Sequence, residues 1–163
     1  MRFSSFCAHG KEIWGLIKNE GVVVVDKALA SGFPTLKSAI EAGKLDEIGA
    51  ALMQKKIDLP LEQANYLPVI TNPDKILCVG LNYHDHRLEG GHSEVSHPTI
   101  FVRFANAQVG HNKAMILPAE STTLDFEAEL AVIIGKAGRR IQEADALAHI
   151  AGYSCYNDGS IRE

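Results

Sequence analysis

The sequence predicts a strand-rich α+β protein, and three observations favour this class. Short apolar segments with partial alternation recur along all 163 residues, and glycine or proline separates them. Few segments carry helical spacing of apolar residues. The composition, 46% apolar and 22% charged, is that of an ordinary globular protein and excludes wholesale disorder, collagen-like repeats and a coiled-coil rod.

The first seventy residues are predicted to form a small accessory α+β domain. Three short segments suggest an antiparallel meander: Met1–Cys7, Lys11–Ile17 and Gly21–Val25. A helix is expected from Pro34-Thr35 to about Ala42, with Gly43 as its stop. Leu45–Met53 is the second expected helix, because its apolar residues recur at spacings of three and four. This region collects no polar groups suited to chemistry, so its expected role is packing and orientation.

Prolines and an asparagine around residue 70 punctuate the chain, and we place a domain boundary there, giving domains 1–70 and 71–163. The second domain is also predicted to be mainly strands. The expected strands are Lys75–Leu81, Pro98–Arg103, Phe126–Gly135 and Ala151–Tyr156. One or two helical turns are expected at Asn82–Glu89, followed by a break at Gly90-Gly91, and a short helix at Glu143–His149.

Charge and cysteine content exclude several classes of function. The formal net charge of −4 provides no basic excess to neutralise a phosphate backbone, so no nucleic-acid partner is expected. The apolar run Val22–Val25 is too short for a membrane span or a signal sequence, so no membrane association is expected. Cys7, Cys78 and Cys155 are widely spaced and odd in number, which indicates reduced thiols and a cytosolic location.

The segment Asp125–Gly135 carries the strongest chemical signal. In a strand, Glu127 and Glu129 share one face, at the end of a segment whose remaining residues suit burial on both sides. Two carboxylates that close repel one another unless a cation joins them, and Mg²⁺ prefers oxygen ligands. Spacing alone favours the plainer interpretation, a half-solvated edge strand that displays two glutamates.

Two further segments carry weaker signals. On a helical turn His86 and Glu89 are neighbours, and a carboxylate beside an imidazole suits a water-activating general base on a turn that Gly90-Gly91 lets move. The same histidine-rich stretch, 84–97, also allows a solvated cluster or a weak transition-metal site. Asn157-Asp158-Gly159 is a turn signal that places a carboxylate after a buried-looking strand, where it is available as a third metal ligand.

Four patterns in one order resemble the fumarylacetoacetate hydrolase family over about residues 73–163. The first is G-L-N-Y-x-x-H-x-x-E, from Gly80 to Glu89. It is followed by P-x-x-F at Pro98–Phe101, D-x-E-x-E-L at Asp125–Leu130, and A-G-Y…N-D from Ala151 to Asp158. Each pattern is weak alone, but four at compatible intervals make a specific signal.

The resemblance implies an α/β protein whose catalytic domain is a β-rich roll, dimeric when full-length, with one Mg²⁺ or Mn²⁺. It implies Glu127, Glu129 and Asp158 as metal ligands, and His86 with Glu89 as the water-activating pair on a mobile lid. The implied substrate contacts are Tyr83, Arg103 and Arg162. The metal would chelate the carboxylate and keto oxygens of a 2-oxo acid and stabilise the enolate that forms.

The sequence departs from the family pattern in two places. Arg103-Phe104 stands where many members carry Lys-Pro, so the charge is kept and the kink is lost. Members also continue well past N-D, and a downstream lysine and glutamine commonly complete their active site. We therefore expect the chain to be the front part of a longer protein, with unpaired strand edges and impaired activity on its own.

The first expectation for the reaction is metal-dependent hydrolysis of a C–C bond in a 2-oxo acid or acylpyruvate-type substrate. Decarboxylation, hydration and isomerisation need only small changes around the same metal and stay as alternatives. A binding or scaffold domain without a competent site is the alternative from another class.

Overall fold

The structure is a computed structural model that describes residues 1–93 and 96–162. It is a strand-rich mixed α+β fold, which confirms the predicted fold class. Two compact units are present: Met1–Ile70 together with Val109–Glu163, and Thr71–Gln108. The proposed division into domains 1–70 and 71–163 stays a prediction.

The N-terminal part of the first unit is a four-stranded sheet. Its strands, in the spatial order β1-β2-β3-β4, are β1 (Arg2–Ala8), β2 (Lys11–Lys18), β3 (Gly21–Val24) and the short β4 (Leu59–Pro60). Every neighbouring pair is antiparallel. The predicted meander is therefore confirmed, and a two-residue strand far along the chain completes its edge.

Three helices accompany this sheet: α1 (Lys27–Gly32), α2 (Leu36–Glu41) and α3 (Leu45–Met53). Thr35 caps α2 in a capping box with Ser38, and Gly43 follows the helix with a φ of +64°, so the predicted start and stop are confirmed. The predicted bounds of α3 are also confirmed. α1 is a helix that the sequence patterns do not predict.

The helices and the sheet enclose the main hydrophobic core. Partly buried residues from further along the chain, including Val69, Ile70 and Ile133, pack against it. The indole nitrogen of Trp14 donates to the Phe33 carbonyl at 2.9 Å, which satisfies the one polar atom of this side chain. The buried core residues are Trp14, Leu16, Val23, Val25, Leu36, Ala39, Ile40, Ile48 and Leu52.

The start of α1 predicts a measurable pH effect. The Asp26 side chain accepts from the Leu29 N–H at 3.0 Å and pairs with Lys55, and these contacts hold the pKa of Asp26 below its usual 3.8. This stabilisation is present above pH 3.8 and is lost as the pH falls through the lower folded pKa. Asparagine keeps the cap but not the charge.

We therefore expect Asp26→Asn to be less stable than the wild-type chain at neutral pH, and the difference in free energy of unfolding to shrink below pH 3.8. Urea unfolding at a series of pH values checks this. Lys55→Gln should reproduce only part of the loss, because the Leu29 bond contributes more to the lowered pKa than Lys55 does. A difference that is the same at all pH values would contradict the assignment.

The second unit contains an antiparallel hairpin and one short helix. β5 (Ile76–Gly80) pairs with β6 (Thr99–Arg103), and α4 (His84–Glu89) lies between them in sequence. A 3₁₀ helix, Ala105–Ala107, follows β6. The predicted strands and helical turns are confirmed, and Gly91, with a φ of +66°, follows the end of α4.

The remaining elements belong to the first unit. They are 3₁₀ helices at Leu61–Gln63 and Glu143–His149, and the strands β7 (Leu124–Asp125), β8 (Ala128–Ile134), β9 (Ile150–Asn157) and β10 (Ser160–Ile161). β8 pairs with β9 and β7 pairs with β10, both antiparallel. The helix predicted at Glu143–His149 is present as a 3₁₀ helix.

Two details of β8 differ from the prediction. The strand begins at Ala128 rather than Phe126, because the Glu127 N–H donates to the Asn157 side chain at 2.9 Å instead of to a strand partner. Burial on both faces was also wrong for this chain, since Leu130 and Ile134 are 60% and 63% exposed. The alternating pattern shows that one face of β8 is apolar enough to be buried. No element within the described residues covers that face fully.

None of the helices within residues 1–93 and 96–162 has both the length and the apolar character that crossing a membrane requires.

Candidate metal centre

Antiparallel pairing brings three acidic residues to one end of the β8–β9 hairpin. Glu129 lies opposite Tyr156 near the start of β8, and Asp158 directly follows the end of β9. Glu127 precedes β8, and its carbonyl accepts from the Asp158 N–H at 2.9 Å. Because the start of one strand and the end of its antiparallel partner meet, residues about thirty positions apart converge.

The three carboxylates form one cluster. Glu127, Glu129 and Asp158 each offer an oxygen, and these oxygens all lie within 4.8 Å of one another. Asp158 is 2% exposed, and the two glutamates are partly buried. The described part of the chain contains no other group of three histidine, cysteine or acidic residues with this property. The structure therefore brings together the three residues that the sequence analysis assigned to a metal.

The donor set fits a hard divalent cation. Three carboxylates offer oxygen ligands only, which Mg²⁺ and Mn²⁺ accept and which do not favour metals that prefer sulfur. Three negative charges at this separation repel, and one of them is almost fully withdrawn from water, so a divalent ion held by all three would offset the repulsion. Glu127, Glu129 and Asp158 would hold the ion.

Arg162 contacts the edge of this cluster. Its Nη2 lies 2.9 Å from Glu127 Oε1 and 3.3 Å from Asp125 Oδ2, and its Nε donates to the same Asp125 oxygen at 3.3 Å. The pairing of β7 with β10 places Asp125 opposite Ser160, two residues before Arg162. The prediction of Arg162 as a substrate contact stays a prediction. Glu163, the last residue of the segment that resembles the family, lies outside the described residues.

His86 and Glu89 occupy α4 of the second unit, three residues apart. Within the described part of the chain neither side chain forms a hydrogen bond or an ion pair. Catalytic hydrogen bonds are often loose before substrate binds. The water-activating role of the pair stays a prediction.

A cavity of about 350 Å³ lies beside α4 within the second unit. Asn82, His84, Arg87 and His97 are among its lining residues. His84 and Arg87 are three positions apart and share a face of α4. Among the described residues that line this cavity, neither His86 nor Glu89 is present. Segment 84–97 forms no three-residue metal group among its described residues, so the transition-metal alternative gains no support.

The other two predicted substrate contacts also lie in the second unit. Tyr83 immediately precedes α4 and its side chain is partly exposed, and Arg103 is the last residue of β6 and partly buried. Their roles stay predictions.

Two residues that organise the cluster, Asn157 and Asp125, were not predicted as site residues. Asn157 accepts from the Glu127 backbone, and Asp125 holds Arg162. Asp125 shares the alternation of Glu127 and Glu129, so the sequence contained a signal for it. Asn157 belongs to a predicted turn and to the A-G-Y…N-D pattern, but neither predicts its contact with Glu127.

Curated relatives match most of the chain. It is 40% identical over 153 residues to the mitochondrial oxaloacetate tautomerase FAHD2A of Bos taurus, and 38% identical over 148 residues to that of Homo sapiens. The matches cover 91% and 89% of this chain but 49% and 47% of those proteins. The chain thus spans about half the length of the curated relatives it matches.

These names correct one prediction. The cysteine pattern indicated a cytosolic location, whereas the curated relatives are named as mitochondrial proteins. The cytosolic prediction is therefore wrong. Reduced cysteines are expected in any compartment that does not form disulfides, so the pattern does not distinguish between such compartments.

Solved structures match the fold. Maleylpyruvate hydrolase from Sphingobium sp. SYK-6, in complex with manganese(II) and pyruvate, has a TM-score of 0.79 at 26% identity, over 99% of this chain and 60% of that one. Fumarylacetoacetate hydrolase from Exiguobacterium antarcticum has a TM-score of 0.70 at 26% identity, over 98% and 56%.

A family model supports the same assignment. The model described as "Fumarylacetoacetate (FAA) hydrolase C-terminal" matches residues 75–163, more than half of the chain. This range contains the carboxylate cluster, α4 and all four sequence patterns. The chain belongs to the fumarylacetoacetate hydrolase family.

Proposed function

We propose that this chain carries the metal centre and the proton-transfer residues of an enzyme that isomerises a 2-oxo acid between its keto and enol forms. The carboxylate cluster of Glu127, Glu129 and Asp158 carries the proposal, because it is an oxygen-only donor set at one point of the first unit. The choice of isomerisation is supported by relatives 40% identical that are named oxaloacetate tautomerases. The bound ion is proposed to be Mg²⁺ or Mn²⁺.

The divalent ion, when bound, supplies positive charge that orients a 2-oxo acid and stabilises negative charge developing on its keto oxygen. His86 is proposed to take a proton from C3 of the substrate and return it to the oxygen on C2, which balances the isomerisation. Glu89, one helical turn along α4, is proposed to fix the ring tautomer. Tyr83 and Arg103 are proposed substrate contacts, and the full-length protein is proposed to be a homodimer.

Hydrolysis of a C–C bond is the second candidate. The observation that favours it is the likeness to maleylpyruvate hydrolase, which has a TM-score of 0.79. In this reaction the base on α4 would activate water rather than move a proton on the substrate. Decarboxylation and hydration have no specific support beyond the shared scaffold.

The test loads the 163-residue chain with Mn²⁺ and follows two substrates, the enol of oxaloacetate by ultraviolet absorbance and maleylpyruvate by product release. We expect faster ketonisation than free Mn²⁺ gives, and a rate about 10²–10⁴-fold lower in His86→Ala with Mn²⁺ affinity retained. His9→Ala, in the turn between β1 and β2, is the matched control. Cleavage of maleylpyruvate alone would favour hydrolysis.

Binding provides a second readout that does not need turnover. Oxalate presents two carboxylate oxygens to a metal as a 2-oxo acid would, and calorimetry measures its binding with and without Mn²⁺. Binding of oxalate only when Mn²⁺ is present supports the proposed site. If the folded chain binds neither Mn²⁺ nor oxalate, the metal-dependent function is refuted and the scaffold alternative is favoured.

A further inference from the structure

We propose that Arg162 is a positioning residue for the metal centre, and that its guanidinium, held by Asp125, fixes the Glu127 carboxylate in the orientation that binds a divalent cation. This inference rests on the proposed metal site and deepens it. It assigns Arg162 a role through Glu127 that is separate from contact with substrate.

The contacts form a fixed bridge. Nη2 of Arg162 lies 2.9 Å from Glu127 Oε1 and 3.3 Å from Asp125 Oδ2, so one nitrogen joins the two carboxylates. Nε donates to the same Asp125 oxygen, and the Arg162 backbone N–H donates to Thr123 Oγ1 at 3.1 Å. The Arg162 backbone and guanidinium are therefore both held from the β7 side.

Glu127 is the ligand that most needs such support. It lies outside the β8 ladder, and its backbone is held by the Asn157 side chain and by the Asp158 N–H. A glutamate has three rotatable side-chain bonds, and its side chain is 17% exposed here. One oxygen bound to Arg162 restricts those bonds, and a carboxylate has a second oxygen with which it can bind a cation. Ligating carboxylates are commonly fixed in this way by a second hydrogen-bonding partner.

The positive charge of Arg162 and its positioning of Glu127 predict opposite effects on metal affinity when Arg162 is removed. The two contributions can therefore be separated. A guanidinium near a divalent cation repels it, and removing that charge alone should tighten metal binding. In this site Asp125 balances Arg162, so the pair brings little net charge to the cluster. The positioning effect is therefore expected to exceed the electrostatic one.

The experiment measures the Mn²⁺ dissociation constant of the 163-residue chain by calorimetry, and the fraction and line shape of bound Mn²⁺ by electron paramagnetic resonance. Arg162→Ala should bind Mn²⁺ about 10–100-fold more weakly, with an altered line shape. Asp125→Asn should also bind more weakly, and Arg162→Lys should fall between Arg162→Ala and wild type. Arg139→Ala removes the same charge from the exposed loop after β8 and should match wild type.

Thermal melting of the metal-free variants separates positioning from folding. Weaker binding at a temperature where the variant is folded supports the proposal, and equal or tighter binding by Arg162→Ala overturns it. Should Arg162→Ala not fold, Arg162→Lys decides, because lysine keeps the charge but not the two-pronged geometry; wild-type affinity in that variant overturns the proposal. Absence of Mn²⁺ binding by the wild-type chain is a different result, since it refutes the proposed function itself.

Discussion

Asp158→Asn is expected to weaken Mn²⁺ binding by at least about 100-fold while raising the thermal stability of the metal-free chain. Loss of an outer hydrogen-bonding partner alone typically costs 10–100-fold in metal affinity, and Asp158 is proposed as a direct ligand. Asparagine has nearly the same size and keeps one oxygen, so the change removes mainly the negative charge.

The gain in stability follows from like-charge repulsion in the cluster. Two unit charges about 5 Å apart repel by about 3 kcal/mol at an effective dielectric constant near 20. Asp125 balances the charge of Arg162, so asparagine relieves the repulsion of Asp158 by both Glu127 and Glu129. The backbone contacts of Asp158, from its N–H to Glu127 and from the Ser160 hydroxyl to its carbonyl, do not depend on the carboxylate.

Two measurements check that Mn²⁺ affinity falls while thermal stability rises. Calorimetry gives the Mn²⁺ dissociation constant, and thermal melting without metal gives a rise of about 2–4 °C for each kcal/mol relieved. Asp145→Asn, an exposed acid in the 3₁₀ helix Glu143–His149, is the matched control and should change neither value. Unchanged Mn²⁺ affinity in Asp158→Asn would remove it from the ligand set.

Local patterns predicted the elements on which the cluster is built. Alternation placed Glu127 and Glu129 on one face. The third carboxylate, that of Asp158, follows the end of β9, which pairs with the start of β8. Capping signals likewise predicted the start of α2, where Thr35 and Ser38 form the capping box. Such features depend on residues a few positions apart, and single sequences carry that information.

Features that depend on distant residues were missed. The ion pair of Arg162 with Asp125 joins positions 37 apart and exists only because β7 pairs with β10. The Asn157 contact that sets the start of β8 is another such case. The six-residue α1 is a different case: its signal is local, but it consists mainly of the Asp26 cap. Apolar alternation in β8 shows which face of the strand can be buried, but it carries no information about which element covers that face.

Trp14→Ala is expected to lower the free energy of unfolding by about 3–5 kcal/mol. Trp14 is 2% exposed at the centre of the core between the N-terminal sheet and its helices. The change leaves a cavity and removes the donor from the Phe33 carbonyl, which adds the cost of an unsatisfied acceptor. Trp14→Phe should cost less, because most of the ring volume is kept. Phe126→Ala, at a side chain 75% exposed, should change stability by less than about 0.5 kcal/mol.

Urea unfolding followed by circular dichroism is the suitable measurement, since Trp14 is the only tryptophan and its replacement removes the fluorescence probe. A loss below about 1 kcal/mol would contradict the packing described for this core. Mn²⁺ affinity, measured where the variant is still folded, should stay unchanged. The core contacts β8 through Ile133 near its end, whereas Glu129 lies near its start, and the ligands are held there by the β8–β9 ladder and the β7–β10 pair. A parallel loss of Mn²⁺ affinity would show instead that the core positions the carboxylates.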